Sequence, residues 1–408
     1  MHNNKLKIFN DPIYGFITIP NALIFDLIQH KHFQRLRRVS QMGLSYLVYP
    51  GAHHTRFQHA IGCMHLMQNA LNVLRFKGVT ISEDEENGLL IAILLHDIGH
   101  GPFSHAMEHS IVNAISHEEI SLRFMENLNI EFNGSLTLAI SIFRGDYPRK
   151  FMCQLISSQL DMDRLDYLKR DSFYTGVAEG NVNSERLITM LNVVNDELVV
   201  EEKGIYSVEK FLVARRFMYW QVYLHKTGVV AEQLITRVLK RAKELVSNGV
   251  HLNCSTALLF FLGTKISADT FNTKTLEIFA ELDDYDIVAA LKDWQNHSDF
   301  VLRHLCKMIL NRDLLKIKLK NKPINASELI SHSEILMNKY KISKPEAAYF
   351  VFGGTITNQA YQAKTQQINI LFKTGKIKDI VKASDQLNLK ALSKPVTKYY
   401  ICYPKKKM

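Results

Sequence analysis

The run from Ser82 to Pro102 constrains the fold more than any other part of the sequence. Acidic residues crowd the positions after Ser82, which suits the positive end of a helix dipole. The pattern is then apolar on nearly every side of a helix from Leu89 to Leu95, so we expect this helix to be buried. The glycines and the proline at 99–102 should end it.

Hydrophobic periodicity elsewhere indicates a mainly α fold with small β additions. Patterning near 3.6 residues predicts helices from about 21 to 39 and over 56–74, 117–128, 135–143, 150–171, 184–192, 208–246 and much of 250–340. Loose alternation predicts hairpins at 5–20 and 197–207, and strand-like pieces occur at 368–372 and 399–402. We expect a helical core at 1–245 and a C-terminal helical and α+β extension at 246–408 that packs on it.

Charge and cysteine usage narrow the class of protein. The net charge of +10 favours an anionic partner such as a nucleotide, nucleic acid or acidic lipid, although a solvated basic surface explains it equally well. The five cysteines show no CxxC spacing, which argues against a disulfide framework or a cysteine zinc site. No signal peptide opens the sequence, and its apolar runs are too short for a bilayer. We therefore expect a cytoplasmic protein with no membrane partner.

The segment that follows the buried helix is rich in groups that bind metals. It contains His96, Asp97, His100 and His105. A charged aspartate at the end of an apolar helix is unfavourable to bury without a partner. A divalent metal ion is the natural partner, because imidazole and carboxylate together suit Mn, Fe, Zn, Ni or Mg to different degrees. One buried histidine would usually be structural, but this cluster favours a metal site.

Two other segments could complete a coordination shell. His59 closes the run Arg56-Phe57-Gln58-His59 near the start of a predicted helix. Downstream, Asp163, Tyr167 and Asp171 are spaced i, i+4 and i+8, so they share one helix face. Taken alone, such a charge pattern is typical of a solvated surface.

His59, the pair His96-Asp97, and Asp163 together resemble the H…HD…D pattern that names the HD superfamily. Flanking runs resemble one branch, the deoxynucleoside triphosphate triphosphohydrolases, which include bacterial dGTPases and the vertebrate sterile-alpha-motif HD enzyme. Those runs are Asn10-Asp11-Pro12-Ile13, Phe33 to Arg37, Tyr49-Pro50-Gly51-Ala52, Arg56 to His59, His96 to His105, and Tyr223-Leu224-His225-Lys226. The resemblance covers about residues 7 to 235 and implies an HD-domain helical core that cleaves dNTPs to deoxynucleoside and inorganic triphosphate.

The resemblance also implies a role for each matching residue. The metal ligands would be His59, His96, Asp97 and Asp163. The catalytic groups would be His117, its acidic partner Glu108 in place of the usual Asp, and His100. The phosphate contacts would be His100, His105, Arg56, Arg164 in place of a frequent Lys, Arg215 and Lys226. The residues that test the sugar would be Gln41, Tyr167, Asp171 and Tyr223.

One predicted helix supports this assignment. Arg215, Tyr219, Tyr223 and Lys226 fall at i, i+4, i+8 and i+11 along 208–246. Cations at the ends and aromatic rings between them suit a phosphate tail and a nucleoside. Without the metal motif, an amphipathic helix with snorkelling cations would be an equal interpretation.

Members of this branch are often oligomeric and activated by a nucleotide at a subunit interface, so we expect a homo-oligomer, either a dimer or a tetramer. Lys7, Gln34 and Arg37 resemble activator-binding residues. Gln29 stands where the vertebrate enzyme has an acidic residue that reads guanine. An amide cannot accept equally well from the N1 and N2 donors of guanine. A guanine-specific activator is therefore disfavoured, while an adenine nucleotide, another base or no activator stay open.

Two other classes of function stay open. HD proteins also include cyclic-nucleotide phosphodiesterases, 5′-nucleotidases and guanosine tetraphosphate hydrolases. The net charge and the Lys-rich C-terminal tail also fit weak binding of single-stranded nucleic acid, either beside catalysis or in its place.

Overall fold

A computed structural model of the chain describes residues 7–103, 110, 112, 115–362, 366–386 and 389–405. Helices dominate these residues and the strands form small sheets, which confirms the predicted mainly α fold. The α-helices in chain order are α1 Ala22–Gln29, α2 Lys31–Gln34, α3 Arg56–Phe76, α4 Glu83–Leu95, α5 His117–Glu131, α6 Thr137–Arg144, α7 Lys150–Ile156, α8 Met162–Thr175, α9 Ser184–Thr189, α10 Ile205–Met218, α11 Lys226–Ser247, α12 Thr256–Gly263, α13 Thr273–Glu281, α14 Asp284–Trp294, α15 Phe300–Leu310, α16 Ala326–Tyr340, α17 Lys344–Ala347, α18 Ile380–Ala383 and α19 Leu389–Leu392. The strands are β1 Ile8–Asp11, β2 Gly15–Thr18, β3 Leu191–Val194, β4 Glu197–Glu201, β5 Lys316–Lys320, β6 Phe352–Asn358, β7 Asn369–Leu371, β8 Ile377–Asp379 and β9 Val396–Tyr403.

The buried helix α4 lies between α3 and α6, as its all-round apolar pattern predicts. A capping box starts it. The side chain of Ser82 accepts from the N–H of Glu85, and the Glu85 carboxylate accepts from the N–H of Ser82. Every residue from Gly88 to Leu95 is buried. Because α4 ends at Leu95, His96 and Asp97 follow directly from the interior of the protein.

The helices α3 and α8 pack closely where α3 carries a glycine. A Cβ atom on Gly62 would lie 2.1 Å from Oδ1 of Asp166 and 2.3 Å from Nη2 of Arg170. A side chain at residue 62 would therefore occupy the space of a buried ion pair on α8. The glycine lets the ion pair reach the backbone of α3, one turn after His59.

Two predicted helices are wrong in length because each is interrupted. The prediction over 150–171 divides into α7 and α8, since Asp161 accepts from the N–H of Arg164 at 2.7 Å and starts a new helix. The prediction over 208–246 divides into α10 and α11. A π-helical turn at Tyr219–Tyr223 follows α10, and Nδ1 of His225 accepts from the N–H of Thr227 at the start of α11.

The second predicted hairpin is displaced along the chain. The structure places it at 191–201, with β3 and β4 antiparallel, and not at 197–207. Its turn is formed by Asn195 and Asp196, which have φ angles of 52° and 62°. Asparagine and aspartate tolerate this left-handed region, and two such residues match the twist of a two-residue hairpin. The predicted hairpin near the N terminus is present as β1 and β2.

Strands from distant parts of the chain meet in two of the sheets. The order β3-β4-β7-β8 pairs β4 with β7 in parallel, so residues after 368 join a hairpin formed before 202. The order β5-β9-β6 is antiparallel, and β5 and β6 lie where no strand was predicted. The division at residue 245 stays a prediction. Among the described residues, no helix combines the length and apolarity needed to cross a membrane.

We expect Gly62→Ala to lower the free energy of unfolding by about 1–3 kcal/mol, because the new methyl group overlaps Asp166 and Arg170. Thermal unfolding followed by circular dichroism measures the effect. Gly228→Ala in α11 is the matched control, since a Cβ there meets nothing within 4 Å. An unfolding midpoint equal to that of the wild type in Gly62→Ala would contradict the close approach of α3 and α8.

Candidate metal centre and substrate cavity

Four side chains converge where α3, the end of α4 and α8 meet. Nε2 of His59 lies 3.1 Å from Oδ1 of Asp163 and 3.8 Å from Oδ2 of Asp97. Nε2 of His96 lies 3.6 Å from the same oxygen of Asp163 and 3.5 Å from Oδ1 of Asp97. These separations suit donor atoms that share one ion with bond lengths near 2.0–2.2 Å.

The chemistry of these donors fits a divalent metal ion. Nδ1 of His96 donates to the carbonyl oxygen of Ile93 at 2.6 Å, which makes Nε2 the nitrogen that can take a proton or a metal ion. That Nε2 is buried and has no hydrogen-bond partner among the described residues. Burial opposes the charge on Asp97, but His96 and Arg56 outweigh it and hold the pKa of this carboxyl well below its usual range. The carboxylate is therefore ionised and ready to bind a cation.

Cys63 lies beside the same cluster. Its Sγ is 3.5 Å from Nδ1 and 3.6 Å from Nε2 of His59. His59, Cys63, His96 and Asp163 offer donor atoms that all lie within 4.8 Å of one another, so Cys63 is a further candidate ligand that the sequence analysis did not single out. The ligand set His59, His96, Asp97 and Asp163 stays a prediction.

A buried chain of charged groups fixes the orientation of His59. Its Nδ1 lies 2.7 Å from Oδ2 of Asp166. Asp166 accepts two hydrogen bonds from Arg170, at 2.8 and 2.9 Å, and Arg170 donates a third to Asp11 in the N-terminal hairpin at 2.8 Å. Burial raises the pKa of Asp166, but Arg170 and His59 outweigh it and lower that pKa to about 2. The proton on Nδ1 is thus held by Asp166, and Nε2 faces the predicted metal site.

Two histidines and an arginine surround the free side of Asp97. Nη1 of Arg56 donates to Oδ2 of Asp97, and Nε2 of His100 lies 3.3 Å from Oδ1. The ring of His117 stacks on that of His100, with centroids 3.9 Å apart, and its Nε2 lies 3.3 Å from Glu118. Burial and the nearby Arg56 lower the pKa of His100 well below the usual value. His100 is therefore neutral, which suits a group that contacts both a carboxylate and a ligand.

A cavity of about 540 Å³ opens beside the cluster, a size that suits a small-molecule ligand. Its charged and imidazole lining comes from Arg56, Asp97, His100, His117, Asp163 and Arg164. Its aromatic and hydrogen-bonding lining includes Gln41, Tyr167, Asp171, Tyr219 and Tyr223. Glu232 of α11 also lines it, a residue that the sequence analysis did not single out. One cavity thus joins two predicted metal ligands, Asp97 and Asp163, to all four predicted sugar contacts.

Known proteins match this chain over nearly its whole length. Residues 56–171 match the HD domain, and 182–252 match the HD associated region. The crystal structure of a phosphohydrolase from Bacteroides thetaiotaomicron has a TM-score of 0.95 and 52% identity, covering 98% of this chain and 100% of that one. The uncharacterized protein YwfO of Bacillus subtilis is 33% identical over 402 residues, 94% of this chain and 89% of that protein. The chain belongs to the HD-domain phosphohydrolase family.

A more distant relative of this HD phosphohydrolase has a more specific name. It is the deoxynucleoside triphosphate triphosphohydrolase SAMHD1 homologue of Dictyostelium discoideum, which is 32% identical over 261 residues. The match covers 59% of this chain and 50% of that protein.

Three of the predicted phosphate contacts, Arg164, Arg215 and Lys226, lie in different surroundings. Arg164 lines the cavity and donates to the carboxylate of Asp161. Arg215 is buried, donates to Gln159 at 3.1 Å and is not among the residues found to line the cavity. Lys226 is exposed at the first position of α11 and is likewise not among them. The predicted stripe is therefore divided, because the π-turn separates its two halves.

The remaining predicted residues lie elsewhere. His105 and Glu108 fall outside the described residues, so their roles stay predictions. The predicted activator residues lie around α1 and α2. Nζ of Lys7 lies 3.0 Å from the centroid of the Phe25 ring. The guanidinium of Arg37 donates a hydrogen bond to Oε1 of Gln34 at 2.9 Å. Gln29 is the exposed last residue of α1.

We expect Asp166→Asn to weaken metal binding about 10–100-fold, because His59 loses the carboxylate that fixes its tautomer. Calorimetric titration of the metal-free protein with Mn²⁺ measures this. Asp299→Asn is the matched control, since it removes a carboxylate paired with Arg241 at 2.6 Å on helices that carry no predicted metal ligand. Equal Mn²⁺ affinity in the two variants would exclude an orienting role for Asp166.

Proposed function

We propose that this HD phosphohydrolase cleaves deoxynucleoside triphosphates to a deoxynucleoside and inorganic triphosphate. The observation that carries the proposal is a cavity lined both by Asp97 and Asp163 of the predicted metal ligands and by Tyr167, Asp171 and Tyr223. The name of the Dictyostelium relative supports it.

His59, His96, Asp97 and Asp163 would hold the metal ion. When bound, a divalent ion supplies Lewis-acid polarisation of a phosphate oxygen and lowers the pKa of a water ligand. Asp166 keeps Nδ1 of His59 protonated, and the carbonyl of Ile93 does the same for His96. With an ion bound, each imidazole would be neutral and would ligate through Nε2, beside the two carboxylates.

The proposed reaction breaks the bond between the α-phosphorus and O5′ of the nucleoside. The oxygen of water forms the new bond to phosphorus, the electron pair of the broken bond passes to O5′, and His117 supplies a proton there. Triphosphate keeps the oxygen of water, and the released water proton returns through solvent. His117 is suited to this because it is a half-buried imidazole on the cavity wall beside His100.

Fixed cations favour a triphosphate in this cavity. Arg56 is buried and remains oriented by Asp97, while Arg164 is oriented by Asp161. Arginines already held in position neutralise charge on the triphosphate as the bond to O5′ breaks, without reorganising first. The metal identity stays open among Mn, Mg, Fe, Ni and Zn.

The sugar side of the cavity offers acceptors for a hydroxyl group. Asp171 is a buried carboxylate, and Tyr223 donates to its Oδ2 at 2.8 Å. The side-chain oxygen of Gln41 is buried and has no hydrogen-bond partner among the described residues. In a dNTP the sugar has one free hydroxyl, at C3′, so we propose that this hydroxyl donates its proton to Asp171 and that Gln41 contacts it from the other side.

The proposal extends to regulation of this activity by a nucleotide and to assembly of the chain into a homo-oligomer. The surface around Lys7, Gln34 and Arg37 carries two cations, each over an aromatic ring, Phe25 at 3.0 Å and Phe57 at 3.6 Å. Such a surface suits an activating nucleotide, and we propose that it binds one within a homo-oligomer.

The first test incubates the purified protein with each of the four dNTPs, singly and mixed, in Mn²⁺ or Mg²⁺. We expect deoxynucleoside and intact triphosphate, resolved by ion-exchange chromatography. Faster cleavage of the mixture than of any single substrate would reveal activation. Monophosphate, diphosphate or no product in every mixture would move the assignment to another substrate of HD phosphohydrolases.

We expect His117→Ala to reduce kcat at least about a hundredfold while metal content stays that of the wild type, because the leaving O5′ loses its proton donor. His251→Ala, at an exposed histidine between α11 and α12, is the matched control. Turnover equal to the wild type in His117→Ala would exclude the proton-donor role.

A further inference from the structure

His54 lies fully buried behind the sugar side of the cavity and connects two residues of its wall. Its Nε2 lies 2.7 Å from Oδ1 of Asp171. Its backbone carbonyl accepts from the N–H of Gln41 at 3.0 Å. Asp171 and Gln41, the two groups proposed to contact the sugar hydroxyl, are therefore both held by one residue, which the sequence analysis did not single out.

Only one ring nitrogen of His54 makes a hydrogen bond among the described residues. Its Nδ1 is buried without a partner among the described residues, so the ring proton belongs on Nε2, where Asp171 accepts it. Tyr174 stacks on the ring, with centroids 4.4 Å apart and planes 15° apart. The hydroxyl of Tyr174 in turn accepts from Nε2 of Gln58 at 3.1 Å. The ring of His54 is thus held by stacking on its face, from Tyr174, and by a hydrogen bond at its edge, to Asp171.

The carboxylate of Asp171 receives one donor on each oxygen. His54 donates to Oδ1 and Tyr223 donates to Oδ2. Together they fix the rotation of the carboxylate plane. Each carboxylate oxygen has two lone pairs, so capacity remains for a hydroxyl from the cavity. A carboxylate already fixed in its acceptor geometry gains affinity because it need not be ordered when ligand binds.

We propose that His54 is a positioning residue for recognition of the 3′-hydroxyl of the substrate sugar, acting through Asp171. The inference rests on the proposed dNTP substrate. This role differs from a merely structural one, because loss of a structural residue lowers kcat/KM for all substrates alike. Loss of a positioning residue lowers kcat/KM only for substrates that carry the 3′-hydroxyl.

The test compares a dNTP with its 2′,3′-dideoxy counterpart in three proteins, the wild type, His54→Phe and His54→Gln. His54→Phe keeps a ring against Tyr174 but removes the donor to Asp171, whereas His54→Gln keeps an N–H donor. We expect His54→Phe to lower kcat/KM about tenfold or more for the dNTP and less than about twofold for the dideoxy substrate. His54→Gln should retain most of the preference for the dNTP.

The neighbouring His53 supplies the matched control. It is exposed and its ring stacks on Tyr46, so His53→Phe makes the same chemical change without touching Asp171. We expect His53→Phe to keep the wild-type ratio of kcat/KM between the two substrates. Circular dichroism and thermal unfolding check that each variant folds. If His54→Phe does not fold, His54→Asn takes its place, because the shorter amide does not reach Oδ1 from the same backbone position.

Equal losses for both substrates, or no loss for either, would overturn the proposal. Failure of the proposed function is distinguishable, since it shows as no dNTP cleavage by the wild type. In that case, calorimetric binding of a 2′-deoxynucleoside and its 2′,3′-dideoxy counterpart makes the same comparison without turnover. A wild type that binds both equally would then overturn the role of His54.

Discussion

The buried ion pair between Asp166 and Arg170 is the contact on which the rest of the site depends. Both side chains are fully buried, and such charges are costly to remove from water unless each is fully paired. Arg170 meets this condition by binding Asp166 and Asp11, and Asp166 by also holding His59. The N-terminal hairpin, the packing of α3 on α8 and the orientation of a metal ligand are therefore one connected arrangement. The presence of this ion pair inside a helical core is explained more simply by its role in orienting His59 than by a gain in the free energy of folding.

Two of the four predicted metal ligands, His96 and Asp97, have a local signal in the sequence. His96 and Asp97 directly follow a helix that must be buried, and a buried carboxylate needs a partner. His59 and Asp163 required the family pattern, since nothing within their own helices sets them apart from a solvated or structural residue. The fold class was predictable for a similar reason, because helical periodicity repeats along most of the chain.

The parts that could not be predicted depend on contacts between distant segments. The sequence of 208–246 is helical in pattern throughout, and only the structure shows that Tyr219–Tyr223 forms a π-turn that separates Arg215 from Lys226. His54 gave no signal because its partner Asp171 lies 117 residues away. Asp166 was visible as one more charge on a charged helix, and its role appears only when Gly62 lets it approach α3.

The helix α8 unites both functions of the cavity by dividing its residues between two faces. Asp163, Tyr167 and Asp171 line the cavity, while Asp166 and Arg170 point back into the core. At 1.5 Å per residue, the predicted metal ligand Asp163 and the predicted sugar contact Asp171 are separated by about 12 Å along one helix. The buried face of this helix contacts His59 of α3 and Asp11 of the N-terminal hairpin, so both residues are held in place. A ligand must match this separation to reach both carboxylates, so the packing that orients His59 also limits the size of a ligand that can contact both.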